Sequence, residues 1–342
     1  MKSIIIFTLL LCSLIAQDSN SLRQKALNKG LKSIPLDFVK LKTQVDDKNN
    51  PMTIEKIKLG RKLFNDKSLS LDWSISCASC HNIKKGGEDS IETAIGYKGL
   101  KNPSNLNSPT VLNTAYSKHL FWDGRASSLR EQAKGPILAH FEMASSPELV
   151  EERTGLDFDA VLKAIAVYEK TLVTRSRYDD FLDGDISALN LQEKRGLNIF
   201  IDIGCKGCHF GPAIGGQKIQ KFPLRDYNSI LNLTTSFNEQ TKGRELKDIS
   251  IGFKMYKPYP FENKGGFLGK NNERKFRVPI LRNISKTAPY FHNGAIKTLR
   301  EAIKIMSKHQ IGVDLQKDQL DALEAFLMSL DGEVVLYKEL KE

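Results

Sequence analysis

Cys77-Ala-Ser-Cys80-His81 and Cys205-Lys-Gly-Cys208-His209 are two copies of one pattern, 128 residues apart. In each, a pair of cysteines two residues apart is followed at once by histidine. That spacing lets two thiols add to the vinyl groups of one porphyrin while the adjacent imidazole takes the iron. Together the copies use every cysteine beyond Cys12. Two disulfides, or one zinc site built from both pairs, are the competing readings. A zinc site would have to close across more than 120 residues, unlike the compact ribbons that use this ligand set. The motifs therefore predict two covalently bound haem c groups, attached at Cys77, Cys80 and Cys205, Cys208, with His81 and His209 as iron ligands.

The surroundings of the two motifs also repeat. Gly60-Arg-Lys-Leu-Phe64 precedes the first and Gly196-Leu-Asn-Ile-Phe200 the second, each closing a helix-like stretch. After each motif comes a loop-rich region and then an amphipathic helix pattern. Val161, Leu162, Ile165, Tyr168 and Leu172 mark one, and Leu320, Leu323, Phe326, Leu327 and Leu330 the other. The fold expected is mainly α, with two tandem cytochrome c-like haem domains, long loops and few strands. The polar segment from Arg175 to Asn190 suggests a boundary, giving domains at 17–178 and 179–342. Gly211 to Lys275, rich in glycine, proline and charge, reads as long loops over the second haem.

At the N-terminus, Met1 and Lys2 precede an apolar run from Ile4 to Ala16, the length of a signal-peptide core and too short to span a bilayer. This predicts export to the periplasm with cleavage near Ala16. Lipoprotein anchoring through Cys12 is disfavoured by Leu11 before it, and no later stretch reaches membrane-spanning length. The chain of 342 residues carries 51 Lys and Arg against 40 Asp and Glu, a net charge of +11. The basic residues are scattered and accompany no nucleic-acid-binding motif, so no nucleic-acid partner is expected.

Several phrases place the chain beside a known family. Ile75-Ser-Cys-Ala-Ser-Cys-His81, Asn107-Ser-Pro-Thr-Val-Leu-Asn113, Phe121-Trp-Asp-Gly-Arg-Ala126, Glu131-Gln-Ala-Lys-Gly-Pro136, Phe276-Arg-Val-Pro-Ile-Leu-Arg-Asn283 and Pro289-Tyr-Phe-His-Asn-Gly294 occur in that order. With these the sequence resembles the bacterial di-haem cytochrome c peroxidases, relatives of the methylamine-utilisation di-haem enzymes, over nearly all of the expected mature chain. The resemblance implies an enzyme that reduces hydrogen peroxide to water at a low-potential N-terminal haem. A high-potential C-terminal haem collects electrons from a small cytochrome c or cupredoxin. It also implies a homodimer. A di-haem electron carrier or redox sensor without peroxidase turnover is the alternative.

The same resemblance assigns residues. Glu142 matches the catalytic glutamate, Gln132 and Pro136 its pocket neighbours, and Trp122 a tryptophan between the haems. Asn107, Thr287 and Pro289 match a calcium site, whose oxygen donors suit that ion. The second iron needs a methionine to raise its potential. Met255, Met306 and Met328 are those beyond the second motif. Thr298-Leu-Arg-Glu301 starts a helix pattern that sets Leu299, Ile303 and Met306 on one face. By itself Met306 reads as core, but its place after Pro289-Tyr-Phe-His-Asn-Gly294 matches the family's axial methionine, with His309 as runner-up. Met306 also departs from the tyrosine that the methylamine-utilisation enzymes have there. One position deviates: Ala94-Ile-Gly-Tyr97 has tyrosine where many members have a histidine that caps the first iron at rest. An open resting site is the reading preferred, with Tyr97 or His140 as the other caps.

Overall fold

The computed structural model describes residues 18–225 and 259–340, so the expected signal segment, Cys12 and Met255 lie outside the described residues. The architecture is mainly helical. Its strands are short, forming two antiparallel pairs, Thr174–Arg175 with Glu333–Val334 and Ile219–Lys221 with Lys275–Arg277. Within the described part of 211–275, Ile219–Lys221 is the one strand before Lys275, beside isolated bridges at Gly211, Gly269 and Lys270. No helix among the described residues is long and apolar enough to cross a membrane.

Each CxxCH lies between two helices that cross. Ile54–Phe64 is capped by Thr53, whose side chain accepts from the Lys56 amide, and Phe158–Glu169 by Asp157, which accepts from Ala160. In the second half, Asn190 and Glu193 form a reciprocal capping box at the start of Leu191–Asp202, which packs on Lys317–Met328. The repeated glycines sit at the two crossings. A Cβ on Gly60 would run into the Ala164 carbonyl and the Tyr168 Cβ, and one on Gly196 into the Ala322 carbonyl and the Phe326 Cβ. Beside them Phe64 meets Tyr168 and Phe200 meets Phe326, both with centroids 5.3 Å apart. Helix propensity alone favours Ala over Gly by about 1 kcal/mol. Gly196→Ala is nevertheless expected to destabilise the protein by about 1–3 kcal/mol through overpacking, read as a lower urea midpoint.

The duplication extends into the loops. Asn113 and Asn283 both take left-handed backbone at φ 62° and 59°, and each opens a short 3₁₀ turn. Both are fully buried, and both donate Nδ2 to the same hydroxyl, Thr174 Oγ1, at 2.9 and 3.0 Å. Leu120 to Ala126 and Tyr290 to Ile296 are closed by matching bridges, with Phe121 and Phe291 at φ 64° and 69°. Trp122 and His292 are thus equivalent positions, and their rings meet edge to face at 6.4 Å. Equivalent residues touching each other, and touching one shared atom, are what an approximate two-fold relation between the halves produces.

The halves exchange their ends. Ala26 and Leu31, at and just beyond the helix spanning 18–28, are buried in the core around Leu197 and Phe326, whereas Tyr337 is buried in the core around Ile165. Tyr337 donates its hydroxyl to the Pro35 carbonyl at 3.0 Å. The segment from Arg175 to Asn190, read from its polarity as a domain boundary, contains the helix Arg177–Asp183 with Tyr178, Phe181 and Leu182 fully or almost fully buried. Its charges are paired: Arg177 with Glu193, and Arg175 with Asp180 and Asp183. Asp179 and Arg282 are wholly inaccessible and joined by two parallel bonds of 2.7 Å, with the Ile34 and Ser176 amides donating to the same carboxylate.

Candidate active site

Two cavities form, one at each CxxCH. The first is lined by Cys77, Cys80 and His81 together with Gln132, Pro136 and Glu142. Gln132 and Pro136 come from the helix Leu129–Leu138, which Ser128 caps by accepting from the Glu131 amide. Pro136 lies inside this helix, whose last bond runs from the Ala139 amide to the Gly135 carbonyl, and the chain then turns so that the Glu142 amide donates to the Ala139 carbonyl and Met143 to Pro136. The loop at Gly96 closes on this turn. A Cβ on Gly96 would meet the Phe141 carbonyl and the Glu142 Cα, and the Tyr97 amide donates to the Glu142 carbonyl at 2.7 Å. Burial pushes the half-buried Glu142 carboxyl above its ordinary range, and the positive charge of Arg125 pulls it partly back.

The second cavity carries Cys205, Cys208 and His209, with Met306 on its lining. Met306 ends the helix Leu299–Met306, capped by Thr298, and shares its inward face with Leu299 and Ile303 as the periodicity predicts. His309, one turn on, is buried but lies off this lining, and Met328 is 55 % exposed. Asn107, Thr287 and Pro289 also line the second cavity, and Asn107 donates its Nδ2 to the Ile91 carbonyl, leaving the amide oxygen as an acceptor.

The donor chemistry at both motifs suits an iron porphyrin. His81 donates Nδ1–H to the Gly87 carbonyl at 3.1 Å, and His209 donates Nδ1–H to the Ile214 carbonyl at 3.3 Å. A carbonyl can only accept, so each bond fixes the tautomer that leaves Nε2 bare for a metal. Burial depresses both imidazoles, pushing His209 down to about 4, so neither carries a proton that would compete near neutral pH. The four motif cysteines are free and half-buried against the cavities.

Residues 107–110, Trp122 and Arg277 line both cavities and form the wall between them. Trp122 is 9 % exposed and held by its indole N–H, which donates to the Asn107 carbonyl at 2.8 Å. Tyr97 and His140 do not line the first cavity; His140 is exposed and packs edge to face on Phe141.

Against known proteins, the family described as di-haem cytochrome c peroxidase matches residues 54–187. The cytochrome c551 peroxidase of Pseudomonas aeruginosa is 37% identical over 324 residues, covering 88% of this chain and 84% of that protein. The chain belongs to the di-haem cytochrome c peroxidases. A second cytochrome c551 peroxidase, from Nitrosomonas europaea, is also 37% identical, over 83% of this chain and 82% of its own. Among solved structures, a MauG-like protein associated with microbial copper homeostasis shares the fold, with a TM-score of 0.64 and 24% identity over 91% of this chain and 96% of that one. As a di-haem peroxidase this protein is a cytochrome c peroxidase with two haem groups, and a cavity lies at each of its two CxxCH motifs.

Two residues of this peroxidase escaped the sequence reading. Glu169 is 5 % exposed and lines the first cavity, with Oε2 lacking a hydrogen-bond partner, and burial pushes its carboxyl up to about 8. Its signal was a carboxylate at the third place of the apolar stripe Val161, Ile165, Glu169. Arg277, 3 % exposed, stood in the quoted phrase Phe276-Arg-Val-Pro, where nothing local marks an arginine as buried.

Proposed function

We propose that this enzyme is an exported, periplasmic peroxidase that reduces hydrogen peroxide to water with electrons from a small cytochrome c or cupredoxin. The observation that carries this reading is the inequality of the two cavities: the first sets a half-buried carboxyl among the residues around His81, the second sets a thioether among those around His209. Each haem c is attached through its motif's two thiols, Cys77 and Cys80 for the first and Cys205 and Cys208 for the second. Bound there, the iron supplies a site for peroxide and a store of oxidising equivalents. Glu142 accepts a proton from the near oxygen of peroxide and returns it to the far one, which leaves as water. Gln132 and Pro136 shape the space in which that carboxyl and the peroxide meet. His81 would hold the first iron, and the absence of Tyr97 and His140 from the cavity lining supports a first site that stands open at rest. His209 and Met306 would hold the second iron, and a His/Met pair there would favour electron transfer over ligand binding. Trp122 fills the wall between the two with a polarisable ring.

A calcium ion beside the second haem is the finer part of this reading. Asn107, Thr287 and Pro289 all line the second cavity and offer neutral oxygens, a donor type suited to Ca²⁺ with waters completing its shell.

The test is stopped-flow mixing of the as-isolated holoenzyme, reduced donor and hydrogen peroxide. Peroxide-dependent oxidation of two donor molecules per peroxide, beginning without a lag, is expected. No peroxide-dependent oxidation would leave the carrier or sensor reading, and a lag abolished by prior reduction would mean a capped first iron. Alkaline pyridine assays of the same preparation are expected to count two covalently bound haems per chain.

A further inference from the structure

Two buried arginines stand in contrasting circumstances. Arg282 is answered in full by the Asp179 carboxylate. Arg277 has no carboxylate partner among the described residues, although it is 3 % exposed. Its amide donates to the Trp122 carbonyl at 2.8 Å and its Nε to the Phe121 carbonyl at 3.2 Å, which together aim the guanidinium. Its Nη1 has no hydrogen-bond partner, and the group stands 5.9 Å from the centre of the Trp122 ring. An unpaired buried charge costs several kcal/mol. Burial accordingly pushes Arg277 down to about 10, with no neighbouring anion opposing the shift. Of the charged side chains among the described residues, this one lines both cavities. The fold has thus placed a cation on the dividing wall and left its counter-ion to arrive with whatever fills the cavities. A planar guanidinium fork with a bare N–H is matched to a carboxylate.

Haem c carries two propionate carboxylates on each macrocycle. We propose that Arg277 is a shared anchor for these carboxylates, taking a propionate from the haem in each cavity and so fixing the two macrocycles relative to each other beside Trp122. The proposal rests on the assignment of one haem to each cavity. As a positioning residue, Arg277 also raises both reduction potentials, because a nearby positive charge favours the reduced, less positive iron.

The test compares holoenzymes of wild type, Arg277→Gln and Arg277→Lys by spectroelectrochemical titration and by resonance Raman spectroscopy of the propionate bending modes. In Arg277→Gln both reduction equilibria are expected to move about tenfold toward the oxidised form, 59 mV for a one-electron couple, and the propionate bands to shift. In Arg277→Lys, which keeps the charge but loses the fork, both equilibria are expected to stay within about twofold while the bands still shift. Should the Gln variant not mature, the bands of the Lys variant decide alone. Unmoved bands in the Lys variant, unmoved potentials in the Gln variant, or a change at one haem only would overturn the shared anchor. A purely structural role would lower thermal stability and leave the potentials where they are. Fewer than two covalent haems in the wild type would instead remove the cofactor assignment underneath.

Discussion

Replacing Glu142 by glutamine is expected to lower kcat for hydrogen peroxide by about 10²–10⁴-fold, the range general acid–base catalysis supplies, while both haems stay attached. Glutamine keeps the size and hydrogen-bonding capacity of the side chain but cannot take up a proton. The loss therefore reports proton transfer and not packing. The cavity offers no ready substitute: Gln132 is an amide, and Arg125 lies over the Phe121 ring with its guanidinium bonded to Asp123. Glu169 is the other carboxyl on the lining, but burial holds it up to about 8, so near neutral pH it is mostly protonated and a poor acceptor.

The pH profile carries a second signature. Burial raises the Glu142 pKa above the ordinary value of 4.5, against a smaller opposing pull from Arg125. The form that accepts a proton is the carboxylate, whose fraction grows as pH rises through that raised value. The wild-type kcat should therefore fall on the acid side at a pH above the usual glutamate range, and Glu142→Gln should erase that limb from its residual activity. A variant with full turnover and an unchanged acid limb would remove Glu142 from the mechanism.

What was readable in the sequence was whatever repeats or has fixed spacing. The CxxCH pairs are rigid local geometry. Gly60 and Gly196 mark helix crossings where a backbone carbonyl leaves no room for a Cβ. The face shared by Leu299, Ile303 and Met306 follows from helical period and came out as expected. Long-range complementarity was not readable. Asp179 and Arg282 look like ordinary surface charges because each is made neutral by a residue more than a hundred positions away. The exchange of chain ends leaves no local mark either, since Tyr337 and Ala26 are apolar residues that would serve either core equally. Arg277 is hidden for a related reason. Its environment is created by two loops of the first half and by the cavities themselves, none adjacent to it in sequence.

Met306→His is expected to lower the potential of the second haem by on the order of 0.1–0.2 V, within the ≈ 0.8 V span that axial ligands cover. Thioether sulfur is a weak donor that favours the reduced iron, whereas imidazole donates more strongly and favours the oxidised one. The methionine-to-iron charge-transfer band of the oxidised enzyme should vanish in the same variant. Turnover should then fall because electrons enter a poorer acceptor, with the first haem's potential and the peroxide reaction of prereduced enzyme changed little. The controls come from position. Met328 is 55 % exposed, and His309 lies off the cavity lining, so Met328→Ala and His309→Ala should leave both band and potential in place. If the wild type showed no such band, and its potential moved in His309→Ala but not in Met306→His, the π-helical turn Ser307–Ile311 would have to rearrange on haem binding and deliver the imidazole in place of the thioether. Because Met306 already stands on the lining in this fold, ligation there asks for no such movement.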